Sequence, residues 1–99
     1  MACLLPFIRH GQRRFVYILR SDLNRDRHYV GLTSDIERRL HWHNTGPVGV
    51  TVHDRPWPLV VSLEFADAKA AGRFEHYLKI GSGRAFAKRR FGPTSMGAE

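Results

Sequence analysis

The stretch that decides the fold is YVGLTSDIERRLHWHN, from Tyr29 to Asn44. Its first five residues, rich in β-branched and aromatic side chains, predict a strand, and the polar turn after them predicts the start of a helix. Ser34 or Thr33 is the predicted N-cap, because Glu37 follows Ser34 at the spacing of a capping box. The helix is predicted to end at Asn-Thr-Gly-Pro, a strong stop signal. The stretch therefore predicts a strand, a turn and a helix in direct succession.

Segments on both sides extend this pattern. RFVYILR, residues 14–20, predicts a strand buried on both faces at its centre, which a polar hairpin loop joins to the strand containing Tyr29. LVVSLEF, residues 59–65, predicts a third strand, buried for most of its length. DAKAAGRFEHYLKI predicts a second helix that ends at Gly81 and Gly83, and GRAFAKRRF predicts a short basic third helix. The order β-β-α-β-α-α predicts an α+β domain, a small three-stranded antiparallel sheet flanked by helices.

Length and composition predict a single folded domain. The chain has 99 residues, of which 42% are apolar and 25% charged, within the range of ordinary globular proteins. The predicted domain spans residues 14–91, between an N-terminal tail, 1–13, and a C-terminal tail, 92–99. Cys3 is the only cysteine, which excludes an internal disulfide and favours the reducing cytoplasm. The sequence contains no run of about 18 apolar residues, so no membrane span is expected.

The charge of the chain favours a polyanionic partner. Sixteen Lys and Arg residues face nine Asp and Glu residues, which gives a formal net charge of +7. Most of the cations are Arg, whose planar guanidinium suits phosphate. The segment from Lys79 to Arg90 carries cations and no acid. A solvated basic surface that serves only solubility is the alternative.

Two polar side chains share one face of the predicted first helix. Arg39 and His43 are four residues apart, so they point the same way. His41 and His43 diverge by about 200°, so this helix is not expected to chelate a zinc ion through its histidines. An arginine and a histidine on a helix can also be ordinary surface residues, and the spacing alone leaves that alternative open.

Three further features of the sequence each allow more than one interpretation. Gly31 interrupts a strand, which favours either a bulge or a close approach of the backbone to a phosphate. Antiparallel pairing brings Tyr17 near Tyr29, as site residues or as ordinary cross-strand core partners. Glu75 stands beside an apolar helical stripe, where a carboxylate needs a partner such as a metal ion or an arginine.

Five blocks of sequence, in this order, together resemble the GIY-YIG nuclease superfamily. They are VYIL at 16–19, YVGLT at 29–33, RRLHWHN at 38–44, RPWPLV at 55–60 and FEHYLK at 74–79. More narrowly, the chain resembles small single-domain bacterial proteins similar to the nuclease domains of a structure-selective endonuclease and of an excision-repair nuclease. The resemblance covers about residues 15–91. The first signature departs from its usual form, since VYI stands where GIY is expected, although its tyrosine is kept.

The resemblance implies a metal-dependent DNA endonuclease that hydrolyses phosphodiester bonds in structured or damaged DNA, linked to repair or recombination. The residues implied to be catalytic are Tyr17, Tyr29, Arg39, His43 and Glu75. Glu75 is implied to bind the cofactor, one divalent ion, Mg²⁺ or Mn²⁺. Which tyrosine orients or deprotonates the attacking water stays open. The alternative is a non-catalytic or partner-dependent nucleic-acid-binding module with the same fold.

DNA is the expected partner, and a membrane or a small-molecule cofactor is not expected. The residues assigned to nucleic-acid binding are Gly31, Arg38, Arg55, Lys79, Arg84, Lys88, Arg89 and Arg90. Trp57, in the same loop as Arg55, is predicted to be a core side chain rather than a platform for base stacking. A repair-protein partner and a homodimer are both left open.

Overall fold

The computed structural model describes residues 13–92. Its elements are β1 (Arg14–Arg20), β2 (His28–Thr33), α1 (Ile36–Thr45), a 3-10 turn (Val50–Val52), β3 (Leu59–Phe65), α2 (Ala68–Leu78) and α3 (Gly81–Phe91). The predicted α+β order is thereby confirmed. The predicted tails, 1–13 and 92–99, lie outside the described residues except for their innermost residue on each side. Across the described part of the chain, no helix is both long and apolar enough to cross a bilayer.

The sheet places β1 at its centre. Its strand order is β2-β1-β3, and β1 pairs with both neighbours in antiparallel fashion. Tyr17 lies opposite Gly31 on one side and Ser62 on the other. The register against β2 is continuous, so the bulge considered at Gly31 is absent; a shift occurs instead against β3, between Ile18 and Leu19. The predicted hairpin from β1 to β2 is confirmed.

Two cores form, one on each face of β1, as predicted for a strand buried on both sides. Val16 and Ile18 belong to a cluster with Ala71 and Leu78 of α2, which α3 also covers. Because side chains alternate along a strand, Tyr17 and Leu19 face the opposite side. They pack there with Trp57, Tyr29, Ile36 and Leu40. Trp57 is 1% exposed, which confirms it as a core residue.

The N-cap of α1 is Asp35, so the prediction of Ser34 or Thr33 is wrong. The Asp35 carboxylate accepts a hydrogen bond from the backbone N–H of Arg38, at 3.1 Å. The hydroxyl of Thr33 instead accepts the backbone N–H of Asp35 at 3.1 Å. Thr33, Ser34 and Asp35 are all residue types that can cap a helix, and the turn geometry decides which of the three takes the capping position.

The prediction that β3 is buried for most of its length is also wrong. β3 is an edge strand, and Leu59 and Leu63 are 39% and 36% exposed. A continuous apolar run is compatible with a central strand or with an edge strand covered on one face, and periodicity does not distinguish the two.

Gly81 and Gly83 do not end α2 but begin α3, which corrects their predicted role. The cap of α2 is Lys79. A Cβ at Gly83 would stand 1.6 Å from the carbonyl oxygen of Tyr77. Glycine at this position therefore allows the first turn of α3 to lie directly against the end of α2.

Candidate functional site

A chain of three buried polar side chains crosses the α1 face of the sheet. The hydroxyl of Tyr17 is hydrogen-bonded to Nε2 of His43 at 2.7 Å. The other ring nitrogen, Nδ1, is hydrogen-bonded to the hydroxyl of Thr51 at 2.8 Å. Each of these three residues is 1% exposed. Their polar groups satisfy one another, which is the condition for placing them in a core.

The ring of Tyr29 completes this cluster from β2. Its centroid lies 4.6 Å from that of His43 and 6.2 Å from that of Tyr17. Because Tyr17 pairs with Gly31, Tyr29 is its diagonal neighbour on the same face of the sheet. The two tyrosines are therefore core partners and members of the polar cluster at the same time, and the two alternatives raised by the sequence do not exclude each other.

The close approach predicted at Gly31 is made by the side chain of Tyr17. A Cβ on Gly31 would stand 2.3 Å from the Tyr17 hydroxyl oxygen and 2.4 Å from the ring carbon that carries it. The phenol therefore occupies the space that any other residue at position 31 would fill. This contact is a sufficient packing reason for the glycine, and the approach of a phosphate to its backbone stays a prediction.

Gly31→Ala is expected to lower the free energy of unfolding by about 1–3 kcal/mol, the usual cost of overpacking a core. The added methyl group must displace the Tyr17 ring and with it the hydrogen bond to His43. Urea denaturation measures the stability, and the matched control is Gly72→Ala on α2, where a Cβ would meet nothing within 4 Å. The control is expected to gain about 0.5–1 kcal/mol, since alanine favours a helix. Equal stability of Gly31→Ala and wild type would contradict the assignment.

Burial sets the protonation states of the cluster. It is the largest cause that raises the pKa of the Tyr17 phenol far above 10.0; Tyr29 and Glu75 raise this pKa further, and Arg39 lowers it. Burial also lowers the pKa of His43 below 6.5, with Arg39 and Arg55 acting in the same direction. At neutral pH the phenol is therefore protonated and the imidazole is neutral, so that the imidazole can accept a proton.

Arg39 lies at the exposed edge of this cluster. It is close enough to lower the pKa of both Tyr17 and His43, and its guanidinium lies over the Trp42 ring, 5.7 Å from the centroid. The cation therefore stands between the buried cluster and solvent, where an anion can reach it. Arg38 is also exposed but has no comparable effect on the two rings.

Glu75, on α2, is close enough to the cluster to act on it electrostatically. Its carboxylate contributes to the raised pKa of Tyr17, and it forms an ion pair with Lys79 one turn later. The cationic side chain paired with this carboxylate is a lysine and not the arginine that the sequence suggested, and the divalent ion at Glu75 stays a prediction. The Glu75 side chain is 19% exposed and is thus accessible from solvent.

The donor set at Glu75 fits only an ion that keeps most of its water. Within residues 13–92 there is no group of three His, Cys, Asp or Glu side chains that could hold a metal ion. A closed protein cage is therefore excluded for this part of the chain. Mg²⁺ is commonly bound through one or two carboxylates with water and substrate phosphates as its other ligands, and a single carboxylate is compatible with that pattern.

A groove leads away from Tyr29 between β2 and α3. Its volume is about 810 Å³, and the cations that line it are Lys79, Arg84 and Lys88. Ile18, Val30 and Phe91 contribute apolar walls. The predicted phosphate-binding residues Arg89 and Arg90 are exposed on the same helix but do not line the groove.

Arg55, which the sequence assigned to nucleic-acid binding, caps the end of α1, and its contact with nucleic acid stays a prediction. Its Nε donates to the carbonyl oxygen of His43 at 2.8 Å, and a terminal nitrogen donates to that of Gly46 at 2.6 Å. A cation at the carboxyl end of a helix satisfies free carbonyl groups and opposes the helix dipole. The guanidinium thereby holds the end of the helix that carries His43.

Thr51 is the site residue that sequence reasoning missed. It lies in the 3-10 turn, in the loop from which the sequence assigned Arg55 to nucleic-acid binding and Trp57 to the core. No spacing rule connects a loop threonine to a helical histidine eight residues earlier. The general rule that a buried histidine needs partners for both ring nitrogens is the signal that could have led to Thr51.

The chain is similar in structure to a UPF0213 protein from Bacillus halodurans solved by solution NMR, with 24% identity, a TM-score of 0.49, and coverage of 87% of this chain and 94% of that one. No curated protein matches the sequence. The family model of the GIY-YIG catalytic domain matches residues 13–89, which include all of the cluster described above. The chain therefore belongs to the GIY-YIG nuclease family.

Proposed function

We propose that the protein is a metal-dependent endonuclease that hydrolyses phosphodiester bonds in structured or damaged DNA, in bacterial DNA repair or recombination in the cytoplasm. The observation that carries the proposal is the buried Tyr17–His43 pair with the exposed Arg39 beside it. An uncharged hydrogen-bonded pair next to a cation suits a phosphodiester substrate. The Arg39 guanidinium attracts the phosphate, and the Tyr17–His43 pair can accept the proton of the attacking water.

The roles of the side chains follow from their protonation states. The neutral imidazole of His43 can accept a proton through the hydroxyl of Tyr17, so that the buried phenol need not ionise by itself. Tyr29 is less buried and can orient the attacking water. Arg39 can donate two parallel hydrogen bonds to phosphoryl oxygens as their negative charge grows.

Glu75 would hold the divalent ion, Mg²⁺ or Mn²⁺. When bound, such an ion supplies positive charge at the scissile phosphate. Glu75 is exposed enough to be reached, and the rest of the coordination would come from water and substrate. Lys79 would then be released from its ion pair and could turn to the DNA backbone.

The groove between β2 and α3 is the proposed path of a DNA strand. Lys79, Arg84 and Lys88 would contact successive phosphates, while Arg89, Arg90 and Arg38 would add longer-range attraction. Contacts of this kind position the nucleic acid without reading its sequence, and they weaken as salt is added. A repair-protein partner or a homodimer remains a further prediction.

The proposal is tested by cleavage of labelled single-stranded, duplex, flap and four-way-junction DNAs in Mg²⁺ or Mn²⁺, with a chelator as the blank. Wild type is expected to cut at least one of them. Arg39→Ala is expected to lose about 10²–10³-fold in kcat, the usual cost of removing a group that stabilises transition-state charge. Arg38→Ala, its exposed neighbour, is the matched control and is expected to change mainly binding. Normal binding with no cleavage by wild type would overturn the proposal.

A binding module without turnover is the second candidate, and one observation favours it. The Glu75 carboxylate is already neutralised by Lys79, as expected of a structural ion pair. Under this alternative, wild type, Arg39→Ala and Arg38→Ala all bind DNA and none of them cuts it.

A further inference from the structure

The imidazole ring of His43 lies between two hydroxyl groups and is hydrogen-bonded to both of them. Tyr17 lies at Nε2 and Thr51 at Nδ1, at 2.7 Å and 2.8 Å. All three residues are buried, and within residues 13–92 neither hydroxyl forms another hydrogen bond. The imidazole is therefore the shared partner of both hydroxyl groups.

This arrangement leaves two possible tautomers of the ring. A neutral imidazole has one N–H donor and one acceptor nitrogen, so one hydroxyl must donate to it and the other must accept from it. A phenol is more acidic than an aliphatic alcohol and is the stronger hydrogen-bond donor. The phenol of Tyr17 therefore donates to Nε2, and the N–H at Nδ1 donates to the hydroxyl oxygen of Thr51.

We propose that Thr51 is a positioning residue for the proposed hydrolysis: by accepting the Nδ1 proton, it holds His43 in the tautomer whose Nε2 lone pair faces Tyr17. This inference rests on the proposed function. As water attacks the phosphate, a new P–O bond forms, the bond between phosphorus and the leaving sugar oxygen breaks, and that oxygen takes up a proton from solvent. The proton of the attacking water passes to the Tyr17 oxygen while the phenolic proton passes to Nε2. Tyr17 stays neutral, the imidazole becomes an imidazolium, and the proton later returns to solvent by the same route. A base that is itself oriented by a third group is a recurring arrangement in enzymes that activate a nucleophile.

Thr51 also stabilises His43 after the ring has accepted the proton and become positively charged. The imidazolium retains its Nδ1 proton, and the hydroxyl oxygen of Thr51 remains its acceptor. Without that acceptor, the buried N–H would be unsatisfied in both states of the ring, and the other tautomer would become favoured. In the other tautomer Nε2 already carries a proton and cannot take the one from Tyr17.

The test is nuclear magnetic resonance of protein labelled with ¹⁵N in its histidines, above the pKa of His43, combined with cleavage kinetics. In wild type, the ring of His43 is expected to show a protonated Nδ1 and an unprotonated Nε2. Thr51→Val, which removes the hydroxyl at nearly constant shape, is expected to shift the proton to Nε2. It should lower kcat by about 10–100-fold, as loss of a supporting hydrogen bond does at other sites, with KM nearly unchanged. Thr51→Ser keeps the hydroxyl and is expected to restore both the tautomer and kcat.

A wild-type ring protonated at Nε2 would overturn the proposal, and so would a Thr51→Val protein with an unchanged tautomer and unchanged kcat. If Thr51→Val does not fold, the tautomer of His43 in wild type and in Thr51→Ser still tests the hydrogen-bond assignment. The tautomer is read without any cleavage. If the protein cuts no DNA but its Nδ1 is protonated, the proposed hydrolysis is wrong and the hydrogen-bond assignment stands. If the protein cuts DNA but its Nε2 is protonated, only the role of Thr51 is wrong.

Discussion

Glu75→Gln is expected to lower kcat for DNA cleavage by about 10²–10³-fold while DNA binding is kept or becomes tighter. The amide preserves the shape of the side chain and removes its negative charge. A neutral side chain holds a divalent ion poorly, and it also repels the DNA backbone less. Single-turnover cleavage across a Mg²⁺ titration measures the first effect, and binding of the same DNA in a chelator measures the second.

The matched control is Lys79→Met, which breaks the same ion pair from the other side. It is expected to weaken DNA binding and to leave cleavage at saturating DNA close to that of wild type. If both variants lose cleavage equally, the ion pair itself is what matters, and Glu75 is then a structural residue. If Glu75→Gln cuts as fast as wild type, the metal-binding assignment fails.

Trp57→Ala is expected to lower the free energy of unfolding by about 3–5 kcal/mol, as truncation of a fully buried aromatic side chain does. Trp57 is 1% exposed, and its indole N–H donates to the carbonyl oxygen of His53 at 2.9 Å. Its backbone N–H donates to the Asn44 side chain at 2.7 Å. Removal of the indole opens a cavity beside Tyr17 and Leu19, and a domain of this size has only about 5–15 kcal/mol of stability in total. Urea denaturation followed by far-ultraviolet circular dichroism measures the loss.

Trp42→Ala is the control for this prediction. Trp42 lies on α1 and is partly exposed, with its ring against Gly46 and Gly49. Its truncation is expected to cost about 1–2 kcal/mol, within the common range for single substitutions. Similar losses for the two variants would show that Trp57 is not the centre of the second core.

Local signals were sufficient for most of the fold. The order of strands and helices, the hairpin and the start of the second helix at Asp67 follow from neighbouring residues, and the structure agrees with them. The errors concern choices between adjacent residues or between similar environments. Asp35 competes with Ser34 for the cap, and an apolar run such as β3 does not reveal whether it will have one neighbouring strand or two.

The sequence predicted which residues belong to the candidate site better than it predicted the contacts between them. Tyr17, Tyr29 and His43 lie together, and Arg39 and Glu75 are close enough to act on them electrostatically. Their catalytic roles stay predictions. Arg55, assigned to nucleic-acid binding from its charge and its loop, caps a helix, a contact that its loop position did not predict.

The sequence by itself determined the elements of this protein, its basic character and its membership of a nuclease family, because these depend on residue type and on order along the chain. Only the tertiary structure decided that Tyr17 occupies the space above Gly31, that Lys79 neutralises Glu75 and that Thr51 is the second partner of His43. The physical reason is that a side chain's neighbours in a packed core come from different elements. Their hydrogen bonds and pKa values depend on distances that no local pattern of residues contains.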